Sequence, residues 1–149
     1  MRIVFASDHA GFPLKEILVP FVKDELGHSV TDVGAFTLDP VDDYPDFVSE
    51  AARLVAEEPD DVRGIILGGS GQGEAIVANR YPGVRAAVYY GGGPEILLLS
   101  REHNNANVIA LGARFISEEE AKDAVRLWLE APFSYDDRHV RRIEKIDTE

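Results

Sequence analysis

No cysteine occurs anywhere in the 149 residues, and methionine and tryptophan occur once each. Without a thiol there can be no disulfide, no thiolate metal ligand and no cysteine nucleophile. A reducing cytoplasm fits that absence, and a cytoplasmic location is the expectation. Positive charge is also scarce: 15 Lys and Arg stand against 27 Asp and Glu, giving a formal charge of −12. Such a balance argues against a nucleic-acid or anionic-membrane partner. No apolar run approaches the roughly 20 residues that span a bilayer. The opening "MRIVFASDHAG" reads as a strand, and not as a signal peptide with its longer apolar core. The histidines include no pair at i, i+4 and no HExxH, so no metal site is expected.

What is present is enough apolar residue, 45%, to build one core, and a single domain over 1–149 is expected. Short β-rich runs at 2–6, 28–34, 64–67, 85–90 and 107–113 read as strands. Between them lie helical stripes. Leu14, Ile17, Leu18, Phe21 and Val22 mark the first, and Phe47, Ala51, Ala52 and Val55 the second. A short helix follows the glycine-rich stretch at 68–73, and another runs from about Pro94 to His103. Ser117 and Glu120 form an S-x-x-E capping box before the stripe Ala121, Ala124, Val125, Trp128 and Leu129. Pro132 closes that helix, and a basic helical tail occupies 131–149. Five strand–helix alternations predict a Rossmann-like α/β three-layer sandwich on a five-stranded parallel sheet. Ligands of such sheets bind beyond the carboxyl ends of the strands. Asp8, His9, the glycine loop and Arg114 all follow strands and should gather there.

The loop itself, "LGGSGQGEAIVANR" (67–80), resists the usual phosphate-loop readings. G-x-G-x-x-G fails in both registers, because Gly69-x-Gly71 meets Glu74 and Gly71-x-Gly73 meets Ile76. The nucleotide phosphate loop fails because Glu74-Ala75 stands where Lys-Ser/Thr is required. A glutamate beside bound phosphate would repel it. Backbone N–H groups beside a carboxylate instead suit deprotonation of a carbon next to a carbonyl, with the amides holding the oxyanion. A first-turn glutamate favoured by the helix dipole explains Glu74 equally well. Arg138, Arg141, Arg142 and Lys145 bring four basic residues into "RHVRRIEK" (138–145). That cluster suits a small anionic ligand or, equally, a solvated helix face.

Five motifs in order and spacing extend these readings: "SDHAG" (7–11), "DYPD" (43–46), "GGSGQGEAIVANR" (68–80), "REHNNANVIALGAR" (101–114) and "RHVRRI" (138–143). Together they resemble the type B ribose-5-phosphate isomerases, a family that also holds galactose-6-phosphate and allose-6-phosphate isomerases. The likeness covers essentially the whole chain. One branch of the family has a cysteine base at the position of Gly68, and the other has glycine there and a glutamate base at position 74; this chain resembles the second. The resemblance implies that Glu74 shuttles a proton between C2 and C1. It implies that Gly69, Gly71, Gln72 and Gly73, with the Ser70 hydroxyl, hold the enediolate. Asp8 and His103 would open the sugar ring; His9, Arg114, Arg138 and Arg142 would hold the phosphate, and Asn104 the sugar hydroxyls. Local alternatives stand beside these roles: Asp8 as a cap of the first helix, His103-Asn104-Asn105 as a helix terminus, and Arg138 with Arg142 as partners in a structural salt bridge. The turn "YYGGGPEILLL" (89–99) departs from the family by its length and its glycines.

The reading is a cofactor-free aldose–ketose isomerase of ribose 5-phosphate and ribulose 5-phosphate, in the non-oxidative pentose phosphate pathway. A six-carbon sugar phosphate as substrate, or a non-catalytic phosphosugar-binding module, are the alternatives. Glu74, Asp8 and His9 belong to the carboxyl edge of the sheet, whereas His103 and Asn104 precede the fifth strand. A strand of about five residues spans roughly 17 Å, so the two groups should not meet within one chain. If they share a site, as the resemblance implies, His103 must come from a second chain, and a homodimer with shared sites is expected, with a tetramer left open.

Overall fold

β-branched and apolar runs pair into one parallel sheet in the computed structural model, whose described residues are 1–146 and 148. The strands are β1 (Arg2–Ser7), β2 (Ser29–Asp32), β3 (Val62–Gly68), β4 (Ala86–Tyr89) and β5 (Val108–Gly112), in the spatial order β2-β1-β3-β5-β4. Every pairing is parallel. The helices are α1 (Phe12–Pro20), α2 (Tyr44–Glu57), α3 (Gln72–Ala78), α4 (Glu95–Glu102), α5 (Glu118–Glu130) and α6 (Asp137–Ile146).

Alternation along the central strands sorts the core into two halves. Ile3, Phe5, Ile65, Leu67, Ile109 and Leu111 face α1, α4 and α5, where Leu14, Leu18, Leu97, Val125 and the fully buried Trp128 complete the larger cluster. Val4, Ala6, Ile66, Val108 and Ala110 face the other way, against Val48, Ala51, Ala52 and Val55 of α2 and Ala75 and Ala78 of α3. The three layers follow from these two apolar faces. β1, β3 and β5 are covered on both sides and read as continuous apolar runs; the edge strands β2 and β4 are mostly half-buried.

Two differences from the sequence reading have local causes. The strand expected over 28–34 stops at Asp32. The Asp32 carboxylate accepts from the Gly34 N–H at 2.9 Å and pairs with the fully buried Lys15 ammonium, so the chain turns out of the ladder. A buried ammonium needs such a partner. The first helix closes at Pro20, whose ring nitrogen cannot donate, and Phe21–Glu25 continues as a wider π-type turn with Leu26 N–H on the Phe21 carbonyl at 3.1 Å. The Ser117–Glu120 capping box is present with both of its hydrogen bonds, at 3.2 and 2.8 Å.

Chain order reverses between β1 and β3: β2 lies outside β1, and the remaining strands lie on the other side. A crevice opens at the carboxyl end of such a switch point. Ser7 is in register with Leu67, and Gly68 with Gly112, so the segments after β1, β3 and β5 emerge side by side.

Candidate active site

The crevice is a cleft of about 400 Å³ lined by Asp8, His9 and Ala10 after β1, Tyr44 at the start of α2, Gly69, Ser70, Gly73 and Glu74 after β3, and Arg114 and Phe115 after β5. Backbone bonds tie the two latter segments together: Ala113 N–H donates to the Gly68 carbonyl at 2.8 Å and Arg114 N–H to the Gly69 carbonyl at 3.1 Å.

Glu74 lies in the first turn of α3 and is only 3% exposed. Its carboxylate folds back over Gly68, and a Cβ at position 68 would coincide with it. That close approach is what the missing side chain permits. Gly71 starts α3 at φ 76°, and a Cβ there would stand 2.9 Å from the Ala110 carbonyl oxygen. The turn therefore fixes both the helix start and the carboxylate's position. Burial lifts the Glu74 carboxyl above the ordinary carboxylate range; its own backbone N–H opposes this and the nearby Asp8 charge adds to it. A carboxylate raised in this way is a better proton acceptor at neutral pH.

Asp8 uses Oδ1 to accept from Ala10 N–H at 2.9 Å and Gly11 N–H at 3.1 Å, so it shapes the turn into α1 while lining the cleft. His9 donates its backbone N–H to Asp42 Oδ1 at 3.0 Å, and its Nδ1 lies 2.6 Å from the same oxygen. The hydrogen bond to Asp42 raises the His9 pKa; burial opposes it, the Asp8 and Asp42 charges reinforce it, and Arg114 opposes it. His9 and Arg114 share one end of the cleft, and Glu74 lies in its buried wall. Ligand atoms of Asp8, His9 and Asp42 come within 4.8 Å of one another, the one cluster among the described residues with the donor types and spacing of a metal site. The 2.6 Å contact and the turn amides already engage one oxygen of each carboxylate and one nitrogen of the ring.

The sequence candidates separate into two places. Asp8, His9, Gly69, Ser70, Gly73, Glu74 and Arg114 share the cleft. Gly71 and Gln72 form the turn beneath it, with Gln72 N–H on Ser70 Oγ at 3.3 Å. His103 and Asn104 instead follow α4 and precede the amino end of β5. His103 stacks on His139 of α6, with centroids 4.3 Å apart and planes at 13°. Asn104 lines a second cleft of about 390 Å³ with Asn79, Arg85 and Ile146. Arg138 and Arg142 lie exposed on α6, and Arg138 meets Asp136 at 3.6 Å. Buried Arg101 fixes the segment that carries His103, donating to Asn105 Oδ1 at 2.8 Å and to the Ala106 and Ala131 carbonyls at 2.6 and 3.2 Å.

No role follows from the sequence alone for Tyr44, Phe115, Asp42 or His139. Tyr44 lies within the quoted "DYPD" and Asp42 just before it, but reaching His9 from 33 residues away depends on tertiary structure. Proximity to Arg114 in "GARF" is the one local signal for Phe115.

Known proteins share both sequence and architecture with this chain. A sequence model of the family described as ribose/galactose isomerase matches residues 3–146. Ribose-5-phosphate isomerase B of Mycolicibacterium paratuberculosis is 44% identical over 144 residues, covering 97% of this chain and 88% of the relative. The protein of that name from Escherichia coli is 39% identical, covering 97% and 93%. A crystal structure of ribose-5-phosphate isomerase B from Mycoplasma genitalium with bound ribulose-5-phosphate superposes with a TM-score of 0.92 at 38% identity, over 99% of this chain and 94% of that one.

Proposed function

The chain belongs to the ribose/galactose isomerase family, and from that premise we propose that it interconverts D-ribose 5-phosphate and D-ribulose 5-phosphate through an enediolate. One observation carries the reading: a buried carboxylate with a raised pKa, Glu74, shares a cleft with a glycine loop of backbone donors and with His9 and Arg114. Glu74 takes the proton from C2 and returns it to C1. The loop amides and the Ser70 hydroxyl stabilise the charge that develops on the substrate oxygens. His9 and Arg114 hold the phosphate. This chemistry needs no cofactor, since the proton is moved by a carboxylate and the charge is met by amides.

His103, Asn104, Arg138 and Arg142 join the same site from a second copy of the chain, His103 as the acid toward the ring oxygen and the arginines toward the phosphate. The opposite placement of the two groups along β5 supports a homodimer with two composite sites. Interconversion of these pentose phosphates is a step of the non-oxidative pentose phosphate pathway, and the absence of cysteine fits a cytoplasmic location. No helix among the described residues is long and apolar enough to cross a membrane.

The test is the initial rate on ribose 5-phosphate, ribulose 5-phosphate and allose 6-phosphate, before and after exhaustive chelation. Conversion of the two pentose phosphates that survives chelation is the expected result. A preference for the six-carbon ester would transfer the assignment to that substrate, and no turnover of any of the three would leave only phosphosugar binding.

A further inference from the structure

The loop between β2 and α2 is turned inside out at one residue. Val41 is 83% exposed, whereas the side chain of the next residue, Asp42, is only 9% exposed. An apolar residue in water next to an acid in the interior reverses the usual preference and marks a position kept for some other reason. Asp42 Oδ1 takes both the backbone and the ring of His9, at 3.0 and 2.6 Å. Its Oδ2 is buried with no hydrogen-bond partner among the described residues. A carboxylate so placed needs a positive neighbour, and the ring it touches can supply one.

We propose that Asp42 is the positioning residue of the phosphate end of the cleft: it fixes the His9 ring with Nδ1–H turned away from the substrate and keeps the ring as an imidazolium. Nε2 is then the donor left for a phosphate oxygen, and a cationic donor suits the dianion of the ester better than a neutral one. The proposal rests on the isomerase reading above and adds the group that sets the charge of its phosphate site.

Several charges face His9 from the packed segments. Asp42 approaches from the loop before α2, Asp8 from the end of β1 and Arg114 from the segment after β5, and Tyr44 and Glu74 line the same cleft. The Asp42 hydrogen bond is the largest influence on the ring and raises its pKa, with burial and Arg114 opposing. A rival account makes Asp42 a mere tether for the loop. Asp42→Asn separates the two, because an amide oxygen can still accept both hydrogen bonds and only the charge is lost.

The experiment follows the His9 ring by NMR titration of the full-length protein without substrate, in the wild type and in Asp42→Asn. Four histidines occur in the chain, so His9→Gln identifies the resonance. KM for ribose 5-phosphate is then measured against pH in both proteins. The titration midpoint of His9 is expected to fall in Asp42→Asn, and the rise of KM with pH to begin at correspondingly lower pH. Where wild-type His9 is still charged, the variant should raise KM roughly tenfold, the loss of a charge-assisted contact, with a smaller change in kcat. An unmoved midpoint overturns the proposal. A KM profile that keeps its wild-type pH dependence overturns it too. If the wild type fails to isomerise pentose phosphates, the functional reading falls, and the titration still decides whether Asp42 sets the charge of His9.

Discussion

Ionising Glu74 costs the folded protein something, because its carboxylate is largely buried in the wall of the cleft. Its pKa is raised in the native state, so native Glu74 holds its proton where the unfolded chain has already released it. Stability is then lost as pH rises from the ordinary carboxylate value through the raised one, and the cost persists at neutral pH. Glu74→Gln should therefore abolish most turnover, by roughly 10²–10⁴-fold, while making the protein harder to unfold by urea at pH 7. The stability gap should narrow below the ordinary glutamate pKa, where wild-type Glu74 is neutral in both states; denaturation curves at the two pH values check it. Activity should likewise fall on the acid side at a pH above that of an unperturbed glutamate. Gly68→Ala should act through the same carboxylate, since the added methyl occupies its place. Its kcat should fall while the fold remains, and Gly68→Ala with Glu74→Gln should be little worse than Glu74→Gln alone, as steady-state rates of the three variants would show. At this scale much of the cleft was legible: Asp8, His9, Ser70, Glu74 and Arg114 each follow a strand, and strand ends define the site in such sheets. Asp42 was not, because no local pattern records that an acid in an exposed loop turns inward to a residue 33 positions earlier.

Elements were legible where period and punctuation agree. α5 begins where the S-x-x-E box predicts, and its stripe is the buried one. Ser117→Ala should lower unfolding free energy by about 1 kcal/mol, measured by urea denaturation, with kcat unchanged, because the cap serves only the helix start. Strand existence followed from apolar runs, but strand ends did not. β3 reaches back to Val62 because pairing with β1 continues over all six residues from Arg2 to Ser7, and on to Gly68 because that residue pairs with Gly112 of β5. β2 closes early because Asp32 commits its side chain to Gly34 and Lys15. Both outcomes depend on partners that periodicity does not register. The split of the core between a larger cluster against α1, α4 and α5 and a smaller one against α2 and α3 was equally hidden, since a run buried on both faces shows no alternation.

For the molecule as a whole, the decisive feature is that the cleft lies at one edge of the sheet while His103 and Asn104 lie before the other. Arg142 sits on α6, whose His139 stacks on His103. In the proposed dimer, Arg142→Ala should raise KM for ribose 5-phosphate and leave the slow turnover of free ribose unaltered, as a comparison of the two substrates would show. Inactive Glu74→Gln and His103→Asn chains, unfolded together and refolded, should recover part of the activity, because a mixed pair holds one site with both lesions and one with neither. No recovery in demonstrated mixed pairs would overturn shared sites. The same geometry bears on dosage. If each chain carries only part of the machinery, dilution well below the dissociation constant silences chains that remain folded, and in that range output grows with the square of abundance instead of in proportion to it. A cell making half as much of such a protein would then keep about a quarter of the flux, and association would become a point of control that leaves the catalytic groups untouched.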